Sequence, residues 1–366
     1  MRNLFLISFI FVYTAVFSQN VDKAFTLQDF YKQNFSLDSI TNHYFSLLND
    51  TQRVGQMIIQ ATGAIARPKN EILKSIEKGY IGGVIYLKVT REECSAMEKE
   101  FQKMADSAKT LPMLLSTDGE PSLIQYKIKD FEKVKKTNSI ASAEESAEIG
   151  IFISKKLKEL GIRYNYAPVC DLAINKEVIN NRSYGSDKNK VVELSKAFVR
   201  ASQKEQVAAT IKHFPGHGNV KGDSHKNLVS IDGDLLELEV FKNLIEDSVI
   251  SVMVGHIAVK NNEKYSTNGE PATCSRKIVT DLLRNELGFK GIVITDGMNM
   301  GALGNVKNPT LKAVEAGCDI VLMPANEKST VLNILNKMNS NKDFKMQIYE
   351  SVKRVIRLKV CLGLLS

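Results

Sequence analysis

Short apolar runs recur along the chain at 57–61, 82–87, 113–117, 162–168, 207–211, 250–255, 291–295 and 319–323. Between them lie segments of helical period, at 91–108, 143–160, 190–205, 235–248, 276–287 and 309–316, with a last one at 346–360. A strand buried on both faces reads as a near-continuous apolar run, and such strands alternating with helices build a parallel sheet. The repeated strand–helix unit predicts an α/β fold, a single-domain (β/α)8 TIM-type barrel. The competing arrangement is a doubly wound open sheet. Polar residues at the strand ends separate the two. Asp118 follows the third run, Asp171 the fourth, Lys212 and His213 the fifth, His256 the sixth and Asp296 the seventh. A barrel gathers all of these at one mouth, whereas an open sheet spreads them along a line. Before the first run, 44–56 reads as a helix and 21–42 as a loosely packed lead-in with a helical turn.

The first residues have the form of a secretory signal. Arg2 supplies the positive end, 4–17 is apolar, and Ser18 is a small residue suited to cleavage. The run is too short for a comfortable bilayer span, so export is expected over an N-terminal anchor, to the periplasm or beyond the cell. No cysteine near Ser18 supports lipid anchoring, and no later stretch is apolar enough to span. The expected organisation is a signal at 1–18, a lead-in at 19–44 and the barrel at 45–366, with no membrane partner after cleavage.

Composition narrows the partners. The hydrophobic content of 43% and charged content of 25% are those of a globular protein. The net charge of +8 is spread over scattered lysines; the densest knot, Lys133, Lys135 and Lys136, has acids close by and reads as a solvated face. No nucleic-acid partner is expected. The 5 cysteines are far apart and lack metal-type spacing; Cys170 and Cys318 sit in or beside apolar runs and read as buried thiols.

Candidate chemistry concentrates in Lys212-His213-Phe214-Pro215-Gly216-His217-Gly218 and the following Asp223-Ser224-His225. A histidine with a carboxylate two residues away can form a dyad that gives and takes a proton near neutral pH. An unrelated pair on a surface loop is the plainer reading. A third reading takes His213, His217, Asp223 and His225 as ligands of a hydrolytic zinc. The i, i+4 spacing of His213 and His217 suits a helical pair, but Pro215 and Gly216 oppose a helix between them. Asp296, directly after a buried strand, must be matched by cations or donors, with Lys212 and Arg182 as candidates. It reads equally as a nucleophile or as the N-cap of the next helix.

These residues resemble the signature of glycoside hydrolase family 3, in its bacterial β-N-acetylglucosaminidase branch. Glu286-Leu287-Gly288-Phe289-Lys290-Gly291 and Thr295-Asp296-Gly297-Met298 are similar to its nucleophile segment, and Asn181-Arg182-Ser183-Tyr184-Gly185 to its Arg-Ser-Phe-Gly motif. Val54-Gly55-Gln56-Met57, Ala167-Pro168-Val169-Cys170-Asp171 and Val254-Gly255-His256-Ile257 also match. The resemblance covers roughly 45–360. It implies a (β/α)8 barrel that removes terminal β-linked N-acetylglucosamine with retention, without metal or organic cofactor. Asp296 would be the nucleophile and His225, assisted by Asp223, the acid/base. Asp118, Arg182, Lys212 and His213 would hold the sugar hydroxyls. Phosphorolysis by the same residues and a non-catalytic sugar-binding role stay open beside hydrolysis. A mobile loop bearing Gly216, Gly218 and Gly222 would bring His225 to the substrate, and Phe214–Pro215 is a candidate cis bond.

One segment departs from the pattern. The family carries Asp-x-Glu-Gly-Gly-x-Val-x-Arg after the third strand. Here Asp118-Gly119-Glu120 runs on as Pro121-Ser122-Leu123-Ile124-Gln125-Tyr126, with Tyr126 where the arginine would stand and Lys127 beside it. Lysine does not reproduce the planar fork of arginine, so one hydroxyl contact, the loop geometry and with them the exact sugar or activity level turn on this segment.

Overall fold

The computed structural model describes residues 24–175, 179–220 and 227–366. The expected signal at 1–18 lies outside them. Ten strands follow in chain order: β1 (Ile58–Thr62), β2 (Gly83–Tyr86), β3 (Leu114–Thr117), β4 (Tyr164–Asn165), β5 (Ala208–Phe214), β6 (Val229–Asp232), β7 (Ser251–Val254), β8 (Ile257–Lys260), β9 (Ile292–Thr295) and β10 (Val321–Leu322). Eight of them form one parallel sheet in the order β10-β1-β2-β3-β4-β5-β7-β9. An Ile294–Ile320 bridge joins its ends, with Thr295 N–H donating to Ile320 O at 3.0 Å. The sheet is therefore a (β/α)8 barrel, and each apolar run supplies one of its strands.

The barrel interior is filled rather than open. Tyr164 on β4 reaches past β5 to Ser251 on β7, with 2.6 Å between their hydroxyl oxygens. Tyr166 donates to Ser116 on β3 at 2.9 Å. The strands are buried along their whole length except at β6 and β8. That pair is parallel and lies outside the barrel, with Val229 opposite Ile257. Its alternation of buried Val229 and Ile231 with less buried Ser230 and Asp232 is too short to stand out in the sequence.

Three local readings change. Strand β5 runs on through Lys212 and His213 to Phe214, because carboxylates from other loops satisfy both polar residues. The Lys212–His213 and Phe214–Pro215 bonds are cis. The 44–56 helix is two helices, Phe35–Leu47 and Asp50–Gly55, separated where Asn49 caps the second and exchanges hydrogen bonds with Gln52. The lead-in is packed, not loose. Leu27, Phe30 and Leu37 are buried, and Arg357 of the C-terminal helix Lys342–Cys361 donates to the Phe30 carbonyl at 2.6 Å.

All five cysteines are buried free thiols. Among the described residues no helix is long and apolar enough to cross a membrane.

Candidate active site

The C-terminal ends of the strands carry a linear chain of buried and half-buried charges. Lys212, on β5 and 1% exposed, places Nζ 2.9 Å from Asp118 Oδ1 and 2.6 Å from Glu120 Oε1. Asp118 directly follows β3, and its Oδ2 accepts from Lys127 Nζ at 2.7 Å. Arg182 grips Glu120 as a fork, Nε to Oε2 at 2.8 Å and Nη2 to Oε1 at 2.7 Å. The order is Lys127, Asp118, Lys212, Glu120, Arg182. Burial alone would favour the neutral carboxyl. The two lysines overcome it at Asp118, holding that group far below the carboxylate range. At Glu120 burial is outweighed by Arg182 and Lys212, giving a value of about 2.

Two further carboxylates hold the polar segment after β5. Asp171 accepts from the backbone N–H of His213 and of His217, each at 2.9 Å, and its Oδ2 lies 2.7 Å from His213 Nδ1. Burial opposes its ionisation, but His213 and these donors keep it below its ordinary value. Glu237 accepts from Leu172 N–H at 2.8 Å and Gly218 N–H at 3.0 Å. Burial, reinforced by the charge of Asp171, pushes its carboxyl up to about 8. A Cβ on Gly216 would meet Glu237 Oε2 at 2.0 Å, and one on Gly218 would meet Leu172 O at 1.7 Å. These two glycines thus serve close packing rather than the mobility expected of them. His213 lies on β5 and residues 215–220 are not helical, so the spacing of His213 and His217 has no helical meaning.

Asp296 follows β9. Its N–H donates to Val254 O at 2.9 Å, and its Oδ1 accepts from Gly297 N–H at 2.8 Å. It caps no helix: the next helical turn, Gly301–Leu303, is preceded by Met300 at the cap position. Burial raises its pKa, and His213, His256, the Gly297 N–H and Lys212 outweigh that and keep it low. Arg182 is committed to Glu120 and is not the partner of Asp296. His256 lies with Nε2 3.0 Å from the Gly297 carbonyl. A carbonyl only accepts, so Nε2 carries the proton, and this bond fixes the turn behind Asp296.

Asp118, Arg182, Lys212, His213 and Asp296 all line one cavity of ≈ 720 Å³, together with Lys127 and His217. Asp223 and His225 lie outside the described residues. The described residues on either side of their segment are held in place. On one side Asn175 Nδ2 donates to Val220 O at 2.8 Å. On the other, Val229 pairs with Ile257, three residues beyond the Val254 whose carbonyl holds the Asp296 N–H. Among the described residues no three His, Cys, Asp or Glu side chains are grouped to hold a metal ion.

Residues 50–358 match the Glycosyl hydrolase family 3 N terminal domain. The chain belongs to glycoside hydrolase family 3. Its relatives include Beta-hexosaminidase A of Pseudoalteromonas piscicida, 33% identical over 58% of this chain and 40% of that protein. Beta-hexosaminidase of Methylobacillus flagellatus is 27% identical over 69% of this chain and 76% of that protein. Among solved structures, a glycoside hydrolase family 3 beta-N-acetylglucosaminidase from Paenibacillus sp. str. FPU-7 superposes with a TM-score of 0.78 at 29% identity, covering 87% of this chain and 63% of that one. The chain thus spans less than two thirds of the first curated relative and of that structure.

Within this family 3 barrel the departure after β3 has a structural outcome. Lys127, not Tyr126, reaches Asp118, and Tyr126 lines the cavity. Sequence reasoning left Glu120, Lys127 and Glu237 without roles. Glu120 was marked by being a second carboxylate just past a buried strand. Glu237 was marked by its setting among Leu235, Leu236 and Leu238, which predicts burial of the charge.

Proposed function

We propose that this family 3 protein is a retaining exo-β-N-acetylglucosaminidase. One observation carries the reading furthest. Of the buried carboxylates at the mouth, Asp118 and Glu120 have both oxygens on cations, and Asp171 accepts three donors. Glu237 has both oxygens on backbone N–H donors of Leu172 and Gly218, and burial with Asp171 opposes its ionisation. Asp296 alone combines a low pKa with an oxygen, Oδ2, that has no hydrogen-bond donor among the described residues. A nucleophilic carboxylate must be ionised and free to attack.

The reaction follows from these roles. The cation chain and His213 bind the hydroxyls of the terminal sugar. Asp296 forms a bond to the anomeric carbon as the bond to the leaving oxygen breaks, and His225, oriented by Asp223, gives that oxygen its proton. Water then attacks the anomeric carbon while His225 takes a proton from it, and the bond to Asp296 breaks. Two displacements return the original configuration, as in the two-carboxylate scheme with histidine in place of the acid. The beta-hexosaminidase names of the relatives support an amino sugar, and the beta-N-acetylglucosaminidase from Paenibacillus supports N-acetylglucosamine. The natural substrates we propose are peptidoglycan or other amino-sugar fragments, met after export directed by 1–18.

The test is turnover of an aryl N-acetyl-β-glucosaminide by protein lacking residues 1–18, with and without the Asp296→Ala change. Loss of turnover, and a covalent fluoro-sugar adduct on Asp296 in the unaltered protein, are expected. Equal turnover by both proteins refutes the mechanism. Saturable sugar binding with no turnover and no adduct would assign a binding role. A sugar phosphate formed only with added phosphate would assign phosphorolysis.

A further inference from the structure

The rim of the cavity carries large apolar surface that the chemistry above does not use. Tyr126 and Ile65 both line the cavity, and each is 51% exposed. They come from the loops after β3 and β1. Between them, after β2, stands Lys88. Its Nζ lies 5.6 Å from the Tyr126 ring centroid, and it has no carboxylate partner among the described residues. We propose that Tyr126, backed by Lys88 and flanked by Ile65, is a platform for the sugar ring on the leaving-group side of the scissile bond. This rests on the glycosidase reading above.

The groups that bind hydroxyls, and Asp296 itself, lie among the strand ends. A terminal sugar with its anomeric carbon at Asp296 fills that floor. Its leaving group must then extend toward the mouth, where Tyr126 and Ile65 stand.

The platform is stiff because its three loops are laced together. Lys127 O accepts from Val89 N–H at 3.0 Å, and Val89 O accepts from Lys129 N–H at 2.8 Å. Ala64 N–H donates to Lys88 O at 3.4 Å. A Cβ on Gly63 would lie 2.0 Å from Leu87 O, so the first two loops touch backbone to backbone.

Sugar rings present C–H faces that pack on aromatic rings, and a side chain already held in place loses little freedom when it is covered. The altered segment after β3 therefore divides two tasks. Lys127 meets Asp118, and the residue standing where the family has arginine becomes a stacking surface.

The test compares N,N′-diacetylchitobiose with methyl N-acetyl-β-glucosaminide. Both leave as alcohols, so the ratio of their kcat/KM values reports contacts to the second sugar. Tyr126→Ala is expected to lower the ratio about tenfold, the size of one lost aromatic contact. Tyr126→Phe keeps the ring and should stay within about twofold of the unaltered protein by the same argument. Lys88→Met should lower the ratio by about threefold, as an exposed cation–π contact would. An unchanged ratio in Tyr126→Ala, or an equal fall in Tyr126→Phe, overturns the platform. If the unaltered protein turns over neither compound, the glycosidase reading fails on its own. Calorimetric titration with chitobiose then decides the platform: weaker binding by Tyr126→Ala than by Tyr126→Phe upholds it, and equal binding overturns it.

Discussion

In the chain of five charges the middle member should matter more than the end. Lys212 touches the half-buried Asp118 at 2.9 Å and the buried Glu120 at 2.6 Å, whereas Lys127 touches Asp118 alone, at 2.7 Å. Lys212→Met removes two charge-assisted hydrogen bonds and brings Asp118 and Glu120 face to face. Each bond is worth about 1.5–3 kcal/mol, and breaking a buried pair from one side costs about 3–5 kcal/mol. Because Lys127 and Arg182 remain, we expect about 3–5 kcal/mol rather than the sum of the larger figures. Lys127→Met leaves Asp118 on Lys212 and should cost about 1–2 kcal/mol. Urea unfolding followed by far-ultraviolet circular dichroism measures both at neutral pH. The pH dependence has a fixed sign. Both carboxylates have folded pKa values below their unfolded ones, so the stabilisation from Lys212 is complete above the unfolded value. It is lost as pH falls from about 4.5 toward about 2 at Glu120. The gap between the unaltered protein and Lys212→Met should therefore close in acid. Equal costs for the two substitutions, or a gap indifferent to acid, would refute the linear chain.

Two further outcomes probe opposite ends of the barrel. Lys359 is fully buried at the N-terminal end, with Nζ 2.5 Å from Gln56 Oε1, 2.7 Å from Pro112 O and 2.9 Å from Gly82 O; the ammonium can donate to all three and the neutral amine to two, and burial lowers its pKa from 10.5 to about 7. The unfolded chain binds its proton more tightly, so relative to Lys359→Met the unaltered protein should gain up to about 1.4 kcal/mol per pH unit between those values; a difference flat in pH counts against a neutral buried lysine. Gly218→Ala sets a Cβ against Leu172 O, whereas one at Gly233 (φ 83°) meets nothing within 4 Å. Thermal unfolding should show a loss of about 3 kcal/mol or more for the first and about 1 kcal/mol for the second, and equal losses would mean the Gly218 segment yields freely.

The barrel was legible because each of its strands is buried on both faces, which leaves an unbroken apolar run that little else produces. Where strands met other constraints the pattern thinned. Strand β5 was cut short at Ile211 because lysine and histidine end an apolar run. Their acceptance within the strand depends on Asp118 and Asp171, 94 and 42 residues away. The pair β6 and β8 was missed because four residues cannot establish a period. The packing of Leu27 and Phe30 was missed because their partner, the helix bearing Arg357, lies more than 300 residues on.

The site was legible in a different and more limited way. A carboxylate at the end of a buried strand is a good pointer to the mouth of a barrel, and it found Asp118, Asp171 and Asp296 alike. It does not rank them, because rank depends on what each oxygen already holds. Asp118 is closed by Lys127 and Lys212, and Asp171 by His213 and two backbone donors. Lys127 is especially instructive: its identity argued against equivalence with a missing arginine, and the structure places its ammonium, one position further along a short helix, on Asp118. At this segment Lys127 holds Asp118 while Tyr126 presents its ring to the cavity. That is why the difference from the family pattern should be sought in the choice of leaving group before it is sought in the rate of bond cleavage.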